Sequence, residues 1–201
     1  MRVTVIDYKA GNLTSVLKAL RHLGAEVVVT DGDLSLVESA ERLVLPGVGH
    51  FAATKRLDDA GLTAAIRAAI ARGIPFLGIC VGMQWLYSGS TEAPNQPGLA
   101  HFIEPCERFP DCDRKVPHVG WNSLEVRNGS RLLAGVDAGE HVYFTHSYKA
   151  PVTPDTAAAA HYIEAFAAAV ERDNVMGVQF HPEKSGATGL KILRNFLEMG
   201  R

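Results

Sequence analysis

Short apolar runs alternate with helical repeats through the first half of the chain. Residues 3–7 are apolar up to Asp7, and Leu13, Val16, Leu17, Leu20 and Leu23 then recur at helical spacing. Asn12 stands where an N-cap belongs, and Gly24 where a helix ends. Residues 26–30 and 42–46 read as further strands, with at most a short helix over 33–39 between them. A helix over 51–60 follows, then another that carries Leu62, Ile66, Ala69 and Ile70 on one side and stops at Gly73. Residues 74–79 read as a buried strand, Cys80 as a sharp turn, and Val81 as the start of a helix. This alternation predicts an α/β fold, a doubly wound and mostly parallel sheet with helices on both faces. Ligands of such sheets bind at the carboxyl ends of the strands, where Cys80 stands.

The second half changes character. Residues 88–97 are polar and rich in turn formers, which makes them a loop. Residues 99–104, 119–126 and 141–146 are short, β-branched and aromatic, and are expected to form a smaller antiparallel sheet attached to the parallel one. Alanine-rich stretches within 156–172 score as helix on propensity. Their strand-like neighbours favour two strands with a turn near Ile163 and Glu164. Residues 175–180 read as a strand, and 186–199 as a closing helix that presents Leu190, Leu193, Phe196 and Leu197. With no repeat, low-complexity tract or linker, residues 1–201 read as a single domain.

Composition narrows the function classes. The chain is 47% apolar and 21% charged with a formal net charge of −2, so no basic excess argues for nucleic acid. No apolar run approaches the roughly 20 residues that span a bilayer. The first residues enter a strand without a signal-peptide cleavage pattern, which points to the cytoplasm. Cys80, Cys106 and Cys112 lack metal-ligand spacing and are expected as free thiols, with no metal or organic cofactor.

The chemistry centres on Cys80. Gly78 and Gly82 flank it two residues away on each side, the spacing of a nucleophile elbow with cysteine in place of serine. A buried structural cysteine is the competing reading. A thiolate nucleophile needs a base, and His181 closes the strand over 175–180 and is followed by Pro182 and Glu183. If extended geometry continues through Pro182, His181 and Glu183 face the same side, and the carboxylate orients the imidazole. An oxyanion site requires two aimed N–H donors. Elbow geometry supplies Val81, and the Pro46-Gly47-Val48-Gly49 loop is placed to supply Val48.

The elbow, the Pro46 to Gly49 loop and the run Gln179-Phe180-His181-Pro182-Glu183 together resemble the triad-type glutamine amidotransferases. The resemblance implies a flavodoxin-like fold and a reaction in which Cys80 attacks the side-chain amide of L-glutamine, giving a thioester and ammonia. His181 then serves as acid and base, oriented by Glu183. Gly49, Gln84, His146, Ser147 and Tyr148 match positions that hold glutamine in this family.

Two further runs, from Ile6 to Leu13 and from Lys115 to Asn122, are similar to those of the glutaminase subunits of imidazole glycerol phosphate synthase, enzymes of histidine biosynthesis. One departure is Lys9, where many such subunits carry glycine. This narrower resemblance implies a (β/α)₈ cyclase subunit as partner, receiving the ammonia, with Asn12, Trp121 and Lys184 near the interface. The rival readings are an amidotransferase subunit of anthranilate or aminodeoxychorismate synthase, a non-catalytic flavodoxin-like binding domain, and a cysteine peptidase or chaperone on a related fold.

Overall fold

A computed structural model describes residues 1–10, 13–127 and 129–199. Its frame is an eight-stranded sheet built from β1 (Arg2–Ile6), β2 (Glu26–Thr30), β3 (Leu43–Gly47), β4 (Phe76–Cys80), β7 (Glu125–Val126), β10 (Thr156–His161), β11 (Ala165–Arg172) and β12 (Val175–Val178). The spatial order is β2-β1-β3-β4-β12-β11-β10-β7, parallel from β2 through β12 and antiparallel beyond it. The parallel part has the flavodoxin-like order, with β12 as the fifth strand. Its inner strands are covered on both faces, so β3 and β4 are buried at every position and read as continuous apolar runs. Helices α1 (Thr14–His22) and α6 (Gly186–Glu198) both meet the 3₁₀ turn Pro182–Lys184, whereas α2 (Leu34–Glu38) and α4 (Leu62–Ala71) pack on each other. The expected α1 begins at Thr14; Asn12, its expected N-cap, lies outside the described residues.

Several elements differ from expectation for local reasons. Residues 51–60 divide into a 3₁₀ turn (Phe51–Thr54) and α3 (Lys55–Asp59). Residues 99–104 form no strand. Helix α5 (Val81–Gln84) is one turn long, and the carbonyls of the residues after it need donors. Leu99 N–H supplies Trp85 O at 2.6 Å, while His101 and Phe102 N–H supply Leu86 O at 2.9 and 3.1 Å. The stretch is thus held to the end of the elbow helix rather than to a sheet.

The second-half strands do not form one small sheet. Residues 119–126 divide between β6 (His118–Ser123) and β7, and only β7 joins the main sheet. Two separate two-stranded antiparallel sheets result, β6 with β8 (His141–His146) and β5 (Glu107–Arg108) with β9 (Tyr148–Lys149). The alanine-rich hairpin β10–β11 is a strand pair, as expected, but it widens the main sheet. All its alanines but Ala165 are buried, so packing against neighbouring strands overrides their helix propensity.

Candidate active site

The parallel register sets the tip of β4 level with its neighbours: Gly47 pairs with Cys80 on one side and Val178 with Ile79 on the other. The chain then reverses in one residue, with Cys80 at φ 55°, ψ −109°. Positive φ in a residue with a Cβ is strained, and such strain concentrates at functional sites. The flanking glycines are required by contact. A Cβ on Gly78 would lie 2.4 Å from Gly82 O, and one on Gly82 would lie 1.8 Å from Leu45 O. The turn therefore packs backbone against backbone and presents the Cys80 side chain at the strand end.

His181 and Glu183 come together, although not by the expected route. Strand β12 stops at Val178, and Pro182–Lys184 is a 3₁₀ turn, because proline cannot donate to a sheet ladder and is favoured in a first helical turn. That turn brings Glu183 Oε1 2.9 Å from His181 Nδ1. The backbone of His181 is tied on both sides: its N–H donates to Tyr143 O at 2.9 Å, and its carbonyl accepts Ser185 Oγ–H at 2.6 Å. Burial pulls the imidazole pKa down, but the Cys80 sulfur and the Glu183 carboxylate outweigh it and raise the value to about 9. With Nδ1 held by the carboxylate, Nε2 is buried without a hydrogen-bond partner and is the ring atom left for proton exchange.

Cys80 opens into a cavity of about 320 Å³, at the small end of ligand clefts, which run from roughly 300 to 1,000 Å³. Val48, Gly49, Val81, Gln84, His146, Ser147 and Tyr148, all expected at the site, line it. His181 and Glu183 line a narrower cleft that shares Val48 with the first, beside Pro46, Gly47 and Ile79. Their polar groups are unequally free. Val81 opens α5, where N–H groups have no intrahelical partner. The Val48 N–H, expected as the second oxyanion donor, is instead donated to Ala10 O at 3.3 Å. Gln84 spends both amide hydrogens internally, on Tyr148 O at 2.9 Å and Gln179 Oε1 at 3.1 Å, so Oε1 is what it offers a ligand. His146 offers no free nitrogen: Nδ1 lies 2.9 Å from Tyr148 O and Nε2 3.1 Å from His118 Nδ1. It acts as wall rather than polar ligand.

Three contributors escaped the sequence reading. Glu92, half-buried in the polar loop, lines the cavity and accepts the Phe51 N–H at 2.7 Å, putting a carboxylate where a cationic group would dock. Gln179 is fully buried and donates from Nε2 to Cys80 Sγ at 3.7 Å. Tyr8 places its buried hydroxyl 2.0 Å from the point a Cβ on Gly47 would occupy, which explains that glycine. Gln179 and Tyr8 lay in runs that drew attention, although neither was given a role there. Nothing in a polar loop marks Glu92, and Tyr8 reads as strand-end core.

Beside the site, Trp121 on β6 is 56% exposed and meets the Tyr143 ring edge-on at a centroid distance of 6.1 Å. Lys184 Nζ lies 5.8 Å above the same ring. Two residues expected at an interface thus share one aromatic patch next to His181. Lys9 sits at φ 61°, in the region glycine favours, with its N–H held by Asp7 Oδ1 at 2.8 Å. Among the described residues no cluster of three metal-ligating side chains exists, and no helix is long and apolar enough to cross a membrane.

The chain is 44% identical over 200 residues to imidazole glycerol phosphate synthase subunit HisH of Pectobacterium atrosepticum, covering 99% of this chain and 100% of that protein. It is 45% identical to the subunit of the same name from Deinococcus radiodurans, covering 96% and 92%. Among solved structures it resembles a glutamine amidotransferase crystal structure at TM-score 0.74 and 22% identity, covering 98% and 97%. It also resembles the glutaminase domain of Trypanosoma brucei CTPS with bound acivicin at TM-score 0.67 and 16% identity, covering 98% and 94%. These two likenesses concern the fold. The family model for class-I glutamine amidotransferases matches residues 4–199, nearly the whole chain, and the chain belongs to that family.

Proposed function

We propose that this chain is the glutaminase subunit of an imidazole glycerol phosphate synthase, hydrolysing L-glutamine and passing the ammonia to a (β/α)₈ cyclase subunit. The observation that carries the reading is near-full-length identity of 44–46% to proteins of that name, combined with a buried His181–Glu183 pair beside an elbow cysteine. Cys80 Sγ attacks the side-chain amide carbon of glutamine, and the resulting oxyanion is held by Val81 N–H. The His181 imidazolium gives its Nε2 proton to the departing nitrogen, which leaves as ammonia, and a thioester remains. Neutral His181 then takes a proton from water, whose oxygen attacks the thioester; glutamate leaves and the thiol is regenerated. Glu183 stabilises the imidazolium in both steps. Gln84 Oε1 and the Glu92 carboxylate accept hydrogen bonds from the donors of the bound amino acid, and Trp121 and Lys184 face the partner.

Glutamine turnover measured with and without the cyclase subunit and its nucleotide tests this reading. Cys80→Ala abolishes hydrolysis and leaves ammonia-dependent cyclisation by the complex intact. Persistent glutaminase activity in Cys80→Ala refutes the mechanism, and failure of any cyclase to take up the ammonia refutes the partner.

A further inference from the structure

Cys80 Sγ is one end of a chain of side-chain hydrogen bonds that crosses the second half of the protein. Gln179 Nε2 donates to the sulfur at 3.7 Å, and Gln179 Oε1 accepts from Gln84 Nε2 at 3.1 Å. Gln84 Nε2 also donates to Tyr148 O, whose second lone pair accepts from His146 Nδ1, each at 2.9 Å. His146 Nε2 faces His118 Nδ1 at 3.1 Å, since these residues are directly opposite in the β6–β8 register. At the far end Asn122 Nδ2 approaches His118 Nε2 at 3.5 Å and donates to His161 O at 2.9 Å.

Every proton in this chain has one place to be. A carbonyl only accepts, so Tyr148 O requires an N–H from both Gln84 and His146. His146 must then accept at Nε2, and His118 must carry its hydrogen on Nδ1 and accept at Nε2. Asn122 Oδ1 takes the Ser123 N–H at 2.9 Å, which turns its amide nitrogen toward His118. By the same logic Gln84 gives its remaining hydrogen to Gln179 Oε1, and Gln179 is left with its NH₂ facing the sulfur. Charging either ring would break the sequence, and burial opposes it, lowering His118 to about 4 and His146 to about 3. Tyr162, with its centroid 4.1 Å away at 18°, and Phe144, 4.9 Å away at 23°, stack on the His118 ring and hold its plane.

We propose that Gln179 is a further catalytic residue, an amide donor to the Cys80 thiolate, and that the neutral His118–His146 pair are positioning residues that lock its orientation. The proposal rests on the reading of Cys80 as nucleophile. A hydrogen bond to the anion favours the thiolate over the thiol and fixes the direction of the sulfur lone pairs. It divides the work: His181 moves protons, and Gln179 holds charge without exchanging any. The other titratable groups facing the sulfur are His181, backed by Glu183, and Tyr8 from the turn after β1.

The test is the pH dependence of Cys80 alkylation by iodoacetamide in the full chain, in a Cys112→Ser background because Cys112 is exposed. Gln179→Met keeps length and removes the donor. It is expected to move the alkylation profile to higher pH, and to lower kcat for glutamine in the complex by about tenfold or more, with a smaller change in KM. His118→Phe keeps the stack and breaks the chain, and is expected to shift the profile in the same direction by less. If Gln179→Met does not fold, His118→Phe decides. Unchanged alkylation profiles in folded variants overturn the proposal. This readout needs no glutamine, so it fails separately from the assigned function, which falls only if Cys80→Ala retains hydrolysis.

Discussion

The amide of Val48 is bonded to the carbonyl of Ala10, 3.3 Å away, and so the Pro46 to Gly49 loop is fastened to the turn after β1. An oxyanion donor is worth roughly 10² to 10³ in kcat. The isolated chain is therefore expected to turn over glutamine about that much more slowly than the complex with cyclase and nucleotide. Amide hydrogen exchange at Val48 should accelerate on activation, as the bond to Ala10 opens. Equal turnover in the two states would remove the loop from the account.

His181 gives a second prediction, read by NMR titration of its ring. Its pKa of about 9 is above the unfolded value near 6.5, so its contribution to stability is full below pH 6.5 and is lost as pH rises through about 9. Glu183→Gln and Cys80→Ala each remove an interaction that raises it. Both are expected to lower the pKa, and both should flatten the decline in stability between pH 7 and 9.5. A ring that still titrates near 9 in both variants would place the cause elsewhere.

The buried histidine pair has the opposite sign. His118 and His146 titrate at about 4 and about 3, below the unfolded value, so their contribution is complete above pH 6.5 and is lost as pH falls toward those values. The thermal midpoint should drop between pH 7 and 4.5, and in His118→Phe it should drop less. Equal acid sensitivity in the variant would show that other groups dominate.

Glu92 is expected to set affinity rather than chemistry. Its carboxylate lines the cavity, held by the Phe51 amide. Glu92→Gln keeps the shape and removes the charge available to an ammonium group. Steady-state kinetics should show KM for glutamine rising about tenfold, with kcat changed far less. A fall in kcat at constant KM would assign Glu92 to the reaction itself.

What the sequence disclosed follows from how each feature is encoded. The parallel strands were legible because burial on both faces leaves an unbroken apolar run, as in Leu43–Gly47 and Phe76–Cys80. Cys80, His181 and Glu183 were legible through glycine spacing and a proline, although the pair meets through a 3₁₀ turn and not an extended strand. Residues 99–104 look like a strand because their composition is β-branched and aromatic, while their task is to satisfy carbonyls beyond a short helix. The Val48 peptide plane was illegible in principle, since its partner is backbone and no side chain encodes the choice. Glu92 was hidden because polar residues in a polar loop carry no periodicity.

The contact at Gly82 has a mechanical consequence. Its Cα lies so close to β3 that a methyl group there would meet Leu45 O at 1.8 Å, and no side chain cushions the two backbones. Leu45 is two residues before Gly47, on the strand that leads into the loop carrying Val48. The elbow and that loop are therefore joined through one stiff element with little slack. A displacement of the strand at Leu45 would press directly on the nucleophile's support, because backbone meets backbone there with no side chain between.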